Sequence, residues 1–309
     1  MSYTIMVAVD GEPGHRAALD WAAERAARDG ARLELVHVIE RSWSDSGEQP
    51  ARLLERAGRS LLAAEGRIAV RRARSVLDRR SAPSTEPGSL RTQAPDIEVG
   101  TRLLFGHVGR ELAAASADAD LMVIGTPSEA DRRQAFAGSI AVRVAAVAGC
   151  TVAAIPHGWQ ASGRGVVVGV DGELPAEPAV AFAADEANLL GESLTIVCAG
   201  FIANPLLAGL VPEISLGDRR ERIVEAAAQG VGAAHPGLTV FTEVVETSPA
   251  RGLVAEAAGS RMLVIGTHDR HGARRMMLGS VGHDVLLNVR TPVVVVRGGS
   301  PRSAQPADR

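Results

Sequence analysis

Ile5-Met6-Val7-Ala8-Val9-Asp10-Gly11-Glu12 and Val166-Val167-Val168-Gly169-Val170-Asp171-Gly172-Glu173 are one pattern written twice. Each is an unbroken apolar run closed by Asp-Gly. A run that does not alternate with polar residues predicts a strand covered on both faces. Asp-Gly is turn chemistry, and after the first copy Ala17, Ala18, Trp21, Ala22 and Arg25 follow at helical spacing. A buried strand, a turn and a helix open a parallel α/β sheet.

The repeat extends along the chain. Asp10 and Asp171 stand 161 residues apart, and Leu33 and Leu194 keep that offset. Leu121-Met122-Val123-Ile124-Gly125-Thr126 matches Met262-Leu263-Val264-Ile265-Gly266-Thr267, and Gly138-Ser139 matches Gly279-Ser280, now 141 residues apart. Two constant offsets imply one ancestral unit with about 20 additional residues in the first copy, between its second and third strands.

One copy reads as strands at Tyr3–Asp10, Leu33–Ile39, Ile97–Val99, Leu121–Ile124 and Thr151–Ile155, with helices at Glu12–Arg28, Val108–Ala117 and Ser139–Ala148. The second copy repeats this order from Gly165 to Val296. The fold class expected is α/β: two tandem Rossmann-like domains, each a five-stranded parallel sheet with helices on both faces. The domains are expected at residues 1–156 and 164–298, with a tail at 299–309. Residues 41–95 read as an arginine-rich insertion, with a helical pattern over Arg52–Arg80 that holds nine arginines. Its two readings are a solvated helix face partnered by Glu55, Glu65 and Asp78, and a docking surface for an acidic partner.

Composition excludes several classes. The chain of 309 residues is 46% hydrophobic and 22% charged, with a net charge of −3, so no basic field points to nucleic acid or a membrane surface. No apolar run reaches membrane-spanning length, and no secretory leader is read, which predicts a cytoplasmic protein. The chain has no lysine, so all 33 basic residues are arginine. Neither a P-loop lysine nor a Schiff-base lysine can exist. Cys150 and Cys198 lie in apolar segments without metal-like spacing and read as buried thiols.

Ligands of open parallel sheets sit beyond the carboxyl ends of the strands. Asp10 and Asp171 end the first strand of each copy, where a carboxylate accepts hydrogen bonds from a ribose or an amino group; simple turn chemistry explains them equally well. Gly125 and Gly266 end the fourth strand. A loop then leads to Gly138-Ser139 or Gly279-Ser280 at a helix start, whose unpaired N–H groups suit phosphate; a plain N-cap is the other reading. A metal set of His268, His271 and His283 with Asp269 or Asp284 lacks helical spacing, and no metal site is assigned.

The order of elements, the Val-Asp-Gly ending of the first strand and the loop Gly266-Thr-His-Asp-Arg-His-Gly-Ala-Arg-Arg-Met-Met-Leu-Gly-Ser-Val resemble the universal stress protein family in its tandem, actinobacterial form. That resemblance implies adenine-nucleotide binding, with ATP as ligand and Mg²⁺ as its companion. It places the ligand on Gly169, Asp171, Val197, Gly266, Thr267, His268, Asp269, Arg270, Gly272, Gly279, Ser280 and Val281. In the first copy it places it on Asp10, Gly125, Ser128, Gly138, Ser139 and Ile140. Two departures matter. Asp269 and Ser128 stand where the family pattern has its second glycine. The second copy keeps Arg270 and Gly272 and adds Arg274 and Arg275 as phosphate partners, while the first has Glu129 and Ala130 at the positions of Arg270 and His271, and Ala8 where the second has Gly169. The first copy therefore reads as the more degenerate site.

The function expected is a non-enzymatic stress-response module binding ATP, with at most slow hydrolysis. The alternative is a nucleotide-free scaffold working through protein contacts; an adenylating enzyme finds no supporting motif. The last strands, Val152–Ile155 and Val293–Val296, are expected to pair within the chain as a pseudo-dimer, and a homodimer of chains is a further expectation.

Overall fold

The computed structural model describes residues 3–40, 48–80, 97–127, 140–171, 177–200, 213–267, 278–288 and 290–297. By contact they form two compact units. Unit 1 runs up to Val144 and includes Ala148–Cys150; unit 2 takes Ala145–Val147 and the chain from Thr151 onward.

In unit 1, β1 (Thr4–Ala8) lies between β2 (Arg32–Ile39) and β4 (Leu121–Gly125), parallel to both. Ile5 is level with Leu33 on one side and Leu121 on the other. β3 (Val99–Phe105) pairs parallel with β2, which gives the order β3-β2-β1-β4. Ile5, Met6, Val7, Leu33, Leu35, Leu121, Met122 and Val123 are wholly buried, as the unbroken apolar runs predict for strands covered on both faces.

The helices of unit 1 are α1 (Arg16–Asp29), α2 (Glu48–Arg80), α3 (Val108–Ala115) and α4 (Ile140–Val147). α1 packs on β1, β2, β4 and α2, so it is buried almost all round, including Trp21 and Arg25. The Arg25 guanidinium lies 5.4 Å from the Trp21 ring centroid, a favourable cation–π placement. Gly30 ends α1 at φ 65° and returns its N–H to the Ala26 carbonyl, the left-handed cap that glycine suits.

Two expectations for this unit are corrected. The third strand begins at Val99, where the expected strand ended, and runs seven residues to Phe105. It is an edge strand with partly exposed side chains. Polar Thr101 and Arg102 therefore interrupt the apolar signal, and Arg102 bridges Glu34 (3.0 Å) and Asp118 (2.8 Å). The arginine-rich segment, over Glu48–Arg80, is the crossover helix between β2 and β3 and part of the packed layer. Gly58, Leu62, Glu65, Ala69 and Ala73 form its buried stripe, a spacing of three and four that holds one helix face inward. Of its acids, Glu55 pairs with Arg59 on the same helix, whereas Glu65 pairs with Arg16 of α1.

In unit 2, the strands are β5 (Thr151–Ile155), β6 (Val166–Gly169), β7 (Leu194–Ala199), β8 (Val240–Val245), β9 (Met262–Gly266) and β10 (Val293–Val296). Their order is β5-β10-β9-β6-β7-β8. All these pairings are parallel except β5 with β10, which is antiparallel with Val293 opposite Ala154 and Val295 opposite Val152. The helices are α5 (Glu177–Leu190), α6 (Glu213–Ala234), α7 (Pro249–Glu256) and α8 (Ser280–Asn288). α6 is the counterpart of α2, at 22 residues against 33. No helix among the described residues is long and apolar enough to cross a membrane.

Candidate functional site

A cavity of about 590 Å³ opens in unit 1 at the carboxyl ends of β1, β2 and β4. Its walls are largely apolar: Ala8 and Val9 beyond β1, Val36 and Val38 on β2, Ile124 and Gly125 on β4, with Leu19, Leu112 and Ile140 from α1, α3 and α4. Parallel strands bring their carbonyl ends and the following turns to one edge, which is why the site forms there.

Asp10 sits in the turn after β1 and has two engagements. One carboxylate oxygen accepts the Glu12 N–H at 3.0 Å, and the other is 2.5 Å from His15 Nδ1. The first is the turn chemistry expected of Asp-Gly, with Gly11 at φ 83°. The second is a pairing that the sequence alone does not reveal. His37 on β2 places Nδ1 2.8 Å from the Val9 carbonyl oxygen. A carbonyl only accepts, so Nδ1 carries the proton and Nε2 of the neutral ring is an acceptor.

The α2 wall of the cavity brings in Glu65, which is almost fully buried and receives the Arg16 guanidinium at 3.0–3.4 Å. The hydrogen bond and charge of Glu65 raise the Arg16 pKa above its ordinary value. His107, beside Glu40 at 3.3 Å, and Arg143 on α4 complete the polar lining.

The structure brings Asp10, Gly125 and Ile140 together in this cavity. Ser128, Gly138 and Ser139 lie outside the described residues. In unit 2, Gly169 ends β6 opposite Val197 on β7. A Cβ on Gly169 would stand 2.8 Å from Leu253 Cδ2 of α7. The contact is with the end of a leucine side chain, which can shift. Asp171 is exposed at the end of the β6 segment. Gly266 ends β9; Thr267 donates its N–H at 3.0 Å to the Val296 carbonyl, with its hydroxyl 3.5 Å from the same oxygen, so β10 uses it. The Gly279 carbonyl accepts the His283 N–H at 3.0 Å, and Ser280 and Val281 open α8. His268, Asp269, Arg270 and Gly272 lie outside the described residues. Among the described residues no three metal-ligating side chains cluster.

Sequence reasoning passed over His15, Arg16, Val38, Glu65, His107 and Arg143. A usable signal existed for Glu65 alone: it is the one acid on the buried stripe of α2.

Fold and cavity together define tandem α/β domains, the first with a cleft at its strand ends. The sequence model of the universal stress protein family matches residues 1–156 and 164–297, and the chain belongs to that family. A universal stress protein of Mycobacterium tuberculosis is 29% identical over 306 residues, covering 95% of this chain and 96% of the relative. The crystal structure of a universal stress protein from Archaeoglobus fulgidus superposes with a TM-score of 0.68 at 14% identity, covering 96% of both chains. A universal stress protein solved in complex with cAMP covers 44% of this chain and 98% of its own, at 27% identity and a TM-score of 0.33.

Proposed function

We propose that the chain binds an adenine nucleotide, ATP in the first instance, in the unit 1 cavity and acts in stress response through the bound state rather than by turnover. The observation that carries this reading is the cavity itself. Its volume of about 590 Å³ lies in the range of small-molecule sites, and it stands at the strand ends with a carboxylate beside apolar walls. Val36, Val38 and Leu19 offer surface for a base, and Asp10 an acceptor for ribose hydroxyls. Mg²⁺ would accompany the phosphates. Unit 2 would use Asp171 and the Gly266–Val281 segment in the same way. Hydrolysis would be slow, because the chain has no lysine and no assigned catalytic base. The antiparallel pairing of β5 with β10 supports the two copies joining within one chain; a homodimer and a cytoplasmic location belong to the same proposal.

The test is mass spectrometry of nucleotide released from freshly purified, denatured protein, followed by calorimetry with ATP and Mg²⁺. A released adenine nucleotide and a binding isotherm that weakens in Asp10→Ala are expected. Protein that carries no nucleotide and gives no heat with ATP sinks the proposal.

One observation favours a second reading, a scaffold working by protein contacts. Arg56, Arg67 and Arg71 are exposed on α2, on the side away from its buried stripe. If a partner captured by the wild type is still captured by a variant that has lost ATP binding, the scaffold reading prevails.

A further inference from the structure

We propose that Arg143 holds the phosphate of a nucleotide in the unit 1 cavity. This rests on reading that cavity as the nucleotide site.

Among the described residues two guanidinium groups line the cavity, Arg16 and Arg143. Arg16 is committed to the buried carboxylate of Glu65. Of the other three carboxylates there, Asp10 is held by His15 and Glu40 by His107, and Glu12 is exposed. Among the described residues no ion pair or hydrogen bond engages Arg143. Its guanidinium rests beside Gly109 at the start of α3, where a Cβ would stand 3.7 Å from Nε and 3.9 Å from Cζ. The glycine leaves that side of the group uncrowded. A planar donor fork that meets no acid among the described residues, and that lines the cavity, suits a phosphate oxygen pair.

The second copy differs at this point. The residue 141 positions on from Arg143 is Asp284, exposed on α8. A carboxylate there opposes an anion instead of holding one. The second glycine of the loop pattern is altered in both copies, so it does not rank them. At the position of Arg143 the first copy has a cation and the second, at Asp284, an acid.

The experiment is calorimetry of the full chain with adenosine, AMP and ATP, in the wild type, Arg143→Ala and Arg143→Lys. The inference expects Arg143→Ala to weaken AMP and ATP at one class of sites by about tenfold or more, to leave adenosine unchanged, and Arg143→Lys to recover part of the loss. Unchanged ATP binding in Arg143→Ala overturns the inference and leaves the nucleotide reading standing. An equal loss for adenosine and ATP also overturns it, because the residue then shapes the cavity without touching phosphate. A wild type that binds neither adenosine nor ATP overturns both.

Discussion

Glu65 of α2 and Arg16 of α1 meet at 3.0 Å, the carboxylate buried and the guanidinium 39% exposed. The pair ties the crossover helix to the first turn of α1 beside the cavity. Its two halves are not equivalent. Removing the arginine leaves a charge in the protein interior, whereas removing the acid leaves a cation that reaches water.

Arg16→Ala is therefore expected to destabilise unit 1 by about 2–3 kcal/mol, and Glu65→Gln by about 1 kcal/mol, below the usual cost of a fully buried pair because Arg16 is partly solvated. Urea denaturation of both variants checks the order. Equal losses, or a larger loss in Glu65→Gln, refute the asymmetry.

Gly163 lies where its Cβ would run into the Ser260 backbone carbonyl. A backbone group cannot rotate aside as a side-chain end can. Gly163→Ala is expected to lower stability by about 1–3 kcal/mol, read as a lower melting temperature. Gly191→Ala is a poor control because Gly191 sits at φ 64°; Gly230→Ala, with open space around it inside α6, is the right one and should raise stability by about 0.5–1 kcal/mol.

Burial lifts the Cys198 thiol above its ordinary pKa of 9.0, with the charge of Asp171 adding to the rise and Arg220 and Arg219 opposing it. A raised folded value means the contribution to stability is complete below pH 9.0 and is lost as pH climbs through the folded pKa. Native protein should therefore react slowly with a thiol reagent at neutral pH, since Cys150 is buried as well. Both thiols should react at once in denaturant. Fast labelling of one native thiol would contradict the buried placement.

A fragment beginning at residue 164 lacks β5 and bares one edge of β10, whose four residues are all valine. Exposed apolar edges pair with other chains. That fragment is expected to dimerise or aggregate in light scattering. A well-behaved monomer from residue 164 would show that β5 is dispensable.

The fold was legible because its signal is strong where burial is complete. β1, β4, β6 and β9 are unbroken apolar runs, and duplication doubled each of them. β3 was misplaced because an edge strand keeps polar Thr101 and Arg102 on a half-exposed surface. α2 was misjudged because nine arginines hide a stripe whose buried members include a glycine and a glutamate. At the site, Asp10 was found from its place after a strand. His15, Glu65 and Arg143 were not, since residues from three different helices converge only through packing.

The strand β5 also sets a timetable. It is translated early, but β10, its partner in unit 2, leaves the ribosome only when residue 293 has been made. At ordinary elongation rates that edge waits on the order of ten seconds. For that interval the run Thr151–Ile155 stands without the strand that will cover its edge, so the order of synthesis leaves the link between the repeats exposed.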